Sequence, residues 1–190
     1  DRPPELVDII TTYQDVLLVY DPLRAGPAQV RELVARHDRS GTAPEPRRLE
    51  IPVVYGAEHG PDLAPAAADL GLCPDELVEL HCGAHWTIRF IASPTGAPFL
   101  DGPPVEPELP RLAQPRPRVP PGSVALSGRQ CTIYPAPSPG GWRVIGRTPA
   151  VLFDLRLRPP AACCPGDEVR FVPIAAGDWA RHARPLAPRT

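Results

Sequence analysis

Proline occupies 30 of the 190 positions of this chain, against roughly 5% in average usage, and this sets the first limit on its fold. A ring that locks φ and removes an N–H donor has no place in a helix interior or a central strand ladder. Ten of the 30 fall in Ala92–Gly122, a stretch with almost no hydrophobic period that reads as a loop. Proline and glycine together make 45 residues, just below the level at which a chain is suspected of low complexity. With 43% apolar residues, however, there is material to bury the core of one medium domain or two small ones.

The rest of the composition excludes whole classes of function. All 20 basic residues are arginine, so neither a Schiff-base lysine nor a phosphate-loop lysine is available. A formal charge of −2 without a basic block offers no footprint for nucleic acid. No run approaches ~18 apolar residues, so no membrane span is expected. No charged-then-apolar leader is visible, and the expected location is the cytoplasm. Five scattered cysteines do not make a disulfide framework and point to a reducing compartment. There is no methionine, an initiator included, which reads as a start inside a longer product. Arginine without lysine, alanine-rich stretches and abundant proline together look like a coding bias. Much of the proline excess is therefore expected to carry no function.

Along the chain, residues 5–20 read as one or two strands turning near Tyr13–Asp15, and residues 27–37 as a helix opened by Pro27. This piece cannot bury both faces alone and looks like part of a small α/β unit. Residues 39–48 read as a linker and Leu49–Tyr55 as a strand. A helix is expected from Gly60-Pro61-Asp62 to Gly71, and another from Pro74 to about His81 or Gly83. Trp86–Ile91 has strand composition. Beyond the proline-rich loop, Val124–Ser127, Thr132–Tyr134, Trp142–Ile145, Val151–Leu155 and Glu168–Ile174 read as short strands between turns, the clearest being Ser138–Gly141 and Pro165–Asp167. Many short strands after two helices point to a compact β-barrel with helical decoration.

Several clusters could carry chemistry. His81 and His85 are four apart and would share a helix face fit for a metal, but further ligands are not evident, so no metal is assigned. Cys163-Cys164 precedes a Pro-Gly turn, and adjacent cysteines cannot both enter one core. Cys131 lies among polar residues and would need a neighbouring cation or base to become a thiolate. Glu58 and His59 stand on a loop before a helix N-terminus, which suits an anion, while simple capping by Asp62 is the competing reading. Gly140-Gly141-Trp142 and Gly146-Arg147-Thr148 place an aromatic, a guanidinium and a hydroxyl within nine residues. Arg147 could hold a carboxylate with Trp142 as an apolar wall; alternatively the tryptophan only fills the barrel.

VVYGAEHGPDL (53–63), the helix pair ending at His81, RVPPGSVALSGRQCTIYPAPSPGGWRVIGRTP (118–149) and PGDEVRFVPI (165–174) resemble the KipI family. Members of the family are also called allophanate hydrolase subunit 1 or 5-oxoprolinase subunits. TTYQDVLLVYDPL (11–23) resembles the second half of that family's N-terminal domain.

The resemblance implies an α+β, mainly β fold: a partial N-terminal α/β domain (1–44), a cyclophilin-like β-barrel (45–176) and a C-terminal tail (177–190) whose Pro-Arg composition reads as a loosely held end. It implies a KipA-like partner (allophanate hydrolase subunit 2) and a small amide substrate, by ATP-dependent opening of 5-oxoproline or by carboxyl transfer of the urea-carboxylase type. ATP then belongs to the multi-subunit complex, and no cofactor is expected on this chain alone. Matched positions make Glu58 and His81 proton-moving groups, Gln130 and Tyr134 carbonyl-polarising groups and Arg147 the carboxylate anchor. Trp142, Thr148, Phe99 and Cys131 would line the substrate. Two segments depart from the family pattern. FIASPTGAPFL (90–100) stands where a Gly-Phe loop is usual, and Thr132 stands where a glycine is usual. The scaffold is thus expected to be kept and the pocket altered. Two rival readings follow. One is a stand-alone barrel enzyme, a cyclase or isomerase, with a deep pocket lined by Phe99, Tyr134 and Trp142. The other is a non-enzymatic inhibitor of a histidine kinase.

Overall fold

The computed structural model describes residues 3–36, 45–103 and 107–187. The chain divides into two units, Asp1–Glu45 and Pro46–Thr190.

In the first unit, β1 (Leu6–Thr11) and β2 (Val16–Tyr20) pair antiparallel, with Ile9 opposite Leu18 and Ile10 opposite Leu17. Thr12 and Asp15 close the turn, the Asp15 N–H donating to Thr12 Oγ1 at 3.0 Å. Helix α1 (Pro27–Ala35) starts on Pro27, whose missing N–H is no loss at a first helical position. Leu6, Ala25 and Val30 form a small core with Leu18 and Tyr20 packed against it. Ile9, Ile10, Val16 and Leu17 lie outside that cluster, as a two-stranded sheet under a single helix requires. The expected linker at 39–48 lies largely outside the described residues, and its last residue opens the next strand.

The second unit is built on β3 (Arg48–Tyr55), β4 (Trp86–Ala92), β5 (Ala97–Asp101), β6 (Arg116–Val119), β7 (Ser123–Ser127), β8 (Gln130–Ile133), β9 (Ser138–Gly140), β10 (Arg143–Arg147) and β11 (Glu168–Pro173). Seven of these close into a barrel in the order β10-β3-β11-β4-β5-β8-β7. Closure leaves no unpaired sheet edge, which suits strands of only four to eight residues. Within the barrel β3 and β11 run parallel and the other neighbours antiparallel. Leu49, Ile51 and Val53 alternate into the core, where they meet Ile88, Leu100, Val124, Ile133, Ile145 and Phe171. Helices α2 (Leu63–Asp69) and α3 (Pro74–Gly83) add Leu63, Ala66, Ala67 and Leu77 to the same core. The molecule is thus α+β and mainly β. No helix among the described residues is long and apolar enough to cross a membrane.

Four expectations change. The stretch Ala92–Gly122 is not one loop, since it contributes β5 to the barrel and β6 to an outer ribbon. β5 buries Pro98 and Leu100 in alternation, but it is short, carries a proline and lies in a proline-rich stretch, and Pro98 keeps its carbonyl busy by accepting from Thr132 Oγ1 at 2.8 Å. Residues 138–140, read as a turn, form β9 and pair with β6. Conversely, Val151–Leu155 is not a strand. It makes isolated bridges from Val151 to Pro185 and from Phe153 to Ala161. The described part of the tail is packed: a 3-10 turn (Ala176–Asp178) leads into α4 (Trp179–His182), and Leu186 lies against the core.

Candidate functional site

The turn between β3 and α2 is fastened to β10. Gly56 sits at φ +67° and Ala57 at φ 45°, so the chain reverses sharply after Tyr55. The Gly56 N–H donates to the Ile145 carbonyl at 3.1 Å and the Asp62 N–H to the Val144 carbonyl at 2.9 Å. Gly60 donates to the Gly56 carbonyl at 2.7 Å and Leu63 to the Gly60 carbonyl at 3.0 Å. These donors are spent inside the protein and α2 is only seven residues long, which leaves the anion reading of this turn without support. Gly60 lies flat against the Ile145 carbonyl, and a Cβ there would collide with backbone. Gly60→Ala is expected to cost about 1–3 kcal/mol, read as a lowered urea midpoint, because neither neighbouring backbone can yield.

Asp62 does not cap α2 through its side chain. Its carboxylate takes both terminal nitrogens of Arg116, at 2.8 and 2.7 Å, and the Val144 N–H at 2.7 Å. One residue thereby ties together the start of α2, β6 and β10. The carboxylate in turn holds the Arg116 guanidinium even more firmly protonated than usual.

Just beyond β10 opens a cleft of about 270 Å³, lined by Pro121, Gly122, Pro135, Arg147, Thr148 and Trp179 among others. Arg147 Nε donates to the Pro121 carbonyl at 2.7 Å. Its guanidinium lies 5.1 Å from the ring centre of Trp179. Its two terminal nitrogens make no hydrogen bond to the described residues. Trp179 stacks on His59 with ring centres 4.9 Å apart and planes 19° off parallel. His59 Nε2 in turn stands 3.6 Å from Glu58 Oε1. Thr148 is buried, its Oγ1 accepting from the Ala150 N–H at 3.1 Å and its own N–H donating to the Gly122 carbonyl at 2.8 Å. A fixed guanidinium with two open donors, set in a cleft of this size, can take a small carboxylate.

The remaining candidates lie elsewhere. His81 is fully buried on α3, and its Nδ1 accepts from the Tyr55 hydroxyl at 2.7 Å. Its Nε2 is 3.5 Å from the Cys131 sulfur. The Cys82 thiol donates to the Tyr55 oxygen at 3.4 Å, and Cys131 reaches the Thr132 carbonyl at 3.9 Å. One consistent donor order satisfies the chain: Cys82 to Tyr55, Tyr55 to His81, His81 to Cys131 and Cys131 to Thr132. Burial holds the His81 pKa down at about 3 and pushes the Cys131 thiol and the Tyr55 phenol far up, so all three are neutral. In this order His81 Nε2 is a donor towards Cys131 and not a base, and burial away from solvent also disfavours the thiolate.

His85 lies exposed beyond the end of α3 and does not share a face with His81. Among the described residues no group of three or more His, Cys, Asp and Glu side chains is placed to hold a metal. Cys163 is buried while Cys164 is exposed, and Asp167 holds the loop through the Cys164 N–H and Arg47.

Phe99, Tyr134 and Trp142 do come together, with Val119, Ala125 and Val144. Phe99 meets Trp142 edge-on at 5.3 Å and stacks on Phe90 at 4.7 Å. Trp142 is only 6% exposed. Ala125 and Val144 point away from their core-facing neighbours Val124 and Ile145, which puts this cluster on the opposite side of the barrel wall from the main core. It is a packed cluster that contributes no residue to the Arg147 cleft. Gln130 donates to Asp101 at 3.4 Å and does not line the Arg147 cleft.

The altered segments also find plain structural uses. Ser93 and Gly96 carry positive φ in the β4–β5 hairpin, at 66° and 70°. Thr132 is a buried strand residue opposite Phe99 and Ala125, so a glycine's freedom is not needed there. Trp179 is the cleft residue that sequence reasoning passed over. The available signal was a single large aromatic within a Pro-Arg tail.

Residues 1–163 match the family described as carboxyltransferase domain, subdomain C and D. A 5-oxoprolinase subunit from Bacillus subtilis (strain 168) is 37% identical over 177 residues, which is 90% of this chain and 74% of that protein. The Escherichia coli O157:H7 protein of the same name is 46% identical over 134 residues, 70% of this chain and 62% of that protein. Against that relative the match therefore spans less than two thirds of its length. A solved structure, a conserved uncharacterized protein from Pyrococcus horikoshii, is 34% identical with a TM-score of 0.67 and covers 93% of this chain and 82% of its own. The chain belongs to the carboxyltransferase subdomain C and D family. Within it, the chain groups with the KipI-type 5-oxoprolinase subunits.

Proposed function

We propose that this protein is the KipI-type subunit of an assembly that opens 5-oxoproline to glutamate, with the Arg147 cleft holding the substrate carboxylate. The single observation that carries the reading is Arg147, fixed by Pro121 and Trp179 with two donors open to a cleft of about 270 Å³. The names of the relatives support the reaction, and the word subunit in those names supports an assembly. In the overall reaction one water adds across the ring amide C–N bond and a second is consumed as ATP is hydrolysed to ADP and phosphate. ATP and the remaining catalytic groups come with a KipA-type partner. Arg147 anchors, Thr148 and the surrounding prolines shape the cleft, and Glu58 acts on it only through His59. His81 and Cys131 are enclosed and serve the core.

Carboxyl transfer to a small amide is the second reading, favoured by the description of the family itself. Both are tested by mixing this chain with a KipA-type partner and ATP, then measuring glutamate release from 5-oxoproline. Arg147→Met should lower kcat/KM about a hundredfold, since the carboxylate loses a paired, charge-assisted contact. Bicarbonate-dependent turnover of urea without glutamate release would favour the second reading. An unchanged kcat/KM in Arg147→Met would overturn the assignment of this cleft.

A further inference from the structure

We infer that Trp179 is a positioning residue for substrate binding at the Arg147 cleft, acting by holding the guanidinium in place. The inference rests on the proposed carboxylate role of Arg147 and adds to it a residue outside the stretch matched by the family.

An arginine side chain has many rotamers, and fixing one costs entropy that binding must otherwise supply. Here two contacts fix it before any ligand arrives. The Pro121 carbonyl takes Nε–H, and the Trp179 ring takes the guanidinium at 5.1 Å, within the range of a cation–π contact. Together they specify where Nε and the guanidinium carbon lie, and hence the directions of the two open nitrogens.

Trp179 is itself held. Its ring stacks on His59, and His59 belongs to the turn that Gly56 and Asp62 fasten to β10. Arg147 ends β10. The contacts therefore close a ring: β10 to Arg147, Arg147 to Trp179, Trp179 to His59, and the 56–62 turn back to β10. Glu58 completes it by standing 3.6 Å from His59 Nε2. Beyond α4, the tail is secured by the Val151 N–H donating to the Arg184 carbonyl at 2.9 Å and the Leu186 N–H donating to the Val151 carbonyl at 3.1 Å. A tail tied at both Trp179 and Leu186 can hold an aromatic ring in register with β10.

A ring that positions the anchor should act on binding and not on bond cleavage. In the complete assembly with a KipA-type partner and ATP, Trp179→Ala is expected to raise KM for 5-oxoproline about tenfold with kcat within about twofold. Trp179→Phe keeps a stacking ring and should recover most of the loss. His59→Ala should raise KM by a smaller factor. A merely structural role would lower active enzyme, and so kcat, in all three variants while leaving KM alone, and that result overturns the inference.

A second measurement separates this inference from the reaction proposed above. Acetate is titrated into the chain alone, with tryptophan emission as the readout, since Trp86 and Trp142 are buried and Trp179 is half-exposed. A saturable change in the wild type that weakens about tenfold in Trp179→Ala, and is lost in Arg147→Met, supports the positioning role even if 5-oxoproline proves not to be the substrate. Because Trp179→Ala removes one emitter, its affinity is read by displacement of the acetate methyl signal in proton NMR. No acetate-dependent change in the wild type overturns the inference, while the proposed reaction is judged separately by glutamate release from the assembly.

Discussion

Asp62→Ala should destabilise the barrel unit by about 3–5 kcal/mol, the cost typical of breaking a buried charge pair by removing one partner. Asp62 is 5% exposed and Arg116 answers it with both terminal nitrogens. Without the carboxylate the guanidinium keeps its charge in a half-buried place, and the Val144 N–H loses its acceptor. Three elements come apart at once, because α2, β6 and β10 share this one side chain. Urea unfolding followed by tryptophan emission measures the loss, since all three tryptophans lie in the second unit. Replacing the pair together by Asp62→Leu and Arg116→Met should cost much less than Asp62→Ala alone. A single-variant cost below about 1 kcal/mol, the level of an exposed pair, would show that the contact is idle.

The second large effect is acid instability centred on His81. The ring is sealed against Trp86 and Phe171 at 5.1 and 4.2 Å, and burial holds its pKa at about 3 instead of 6.5. Between those values the unfolded chain takes up a proton that the native chain refuses, so the unfolded state gains as pH falls. The stabilisation from a neutral His81 is complete above about pH 6.5 and is lost progressively down to about pH 3. The window corresponds to a loss on the order of 4 kcal/mol, of which about 2 should be visible on going from pH 7 to pH 5. His81→Gln removes the titration, and its stability should be flatter over this range although lower at pH 7. Equal slopes in variant and wild type would place the acid sensitivity elsewhere.

Much of the fold was legible locally. Residues 6–11, 16–20, 48–55 and 86–92 carry enough β-branched and aromatic side chains to read as strands, and Pro27 and Pro74 mark helix starts where a missing N–H is harmless. The elements that escaped are the ones whose pairing comes from distant partners. β5 has two buried positions, β6 is Arg-Pro-Arg-Val and β9 is Ser-Pro-Gly. Each is three to five residues long and carries a proline, too short a stretch to announce a strand, and each forms because a neighbouring strand offers its backbone. Val151–Leu155 errs the other way: its apolar run Val151-Leu152-Phe153 has strand composition, but its bridge partners are single residues of other loops.

The site was legible only in part. Arg147 and Thr148 stood out because glycine, arginine and a hydroxyl cluster in sequence, and both do line the cleft. The other candidates scatter: Trp142, Phe99 and Tyr134 into one packed cluster, His81 and Cys131 into the core, Gln130 to Asp101. Neighbourhood along a strand does not imply a shared site, because successive side chains point to opposite faces.

The amino-acid sequence by itself determined the mainly β class, the family and the lack of any lysine. It did so because composition, local propensity and long matched motifs act over short stretches of chain. Proline abundance turns out to be compatible with a closed barrel: Pro52 and Pro98 lie within β3 and β5, strands that are paired on both sides. Only the tertiary structure decided that Asp62 serves Arg116, that His81 and Cys131 face each other inside the core, and that Trp179 reaches Arg147. Each of these joins residues between 32 and 54 positions apart. Such pairs form only once barrel closure has brought β10, its neighbouring turn and the tail to one place.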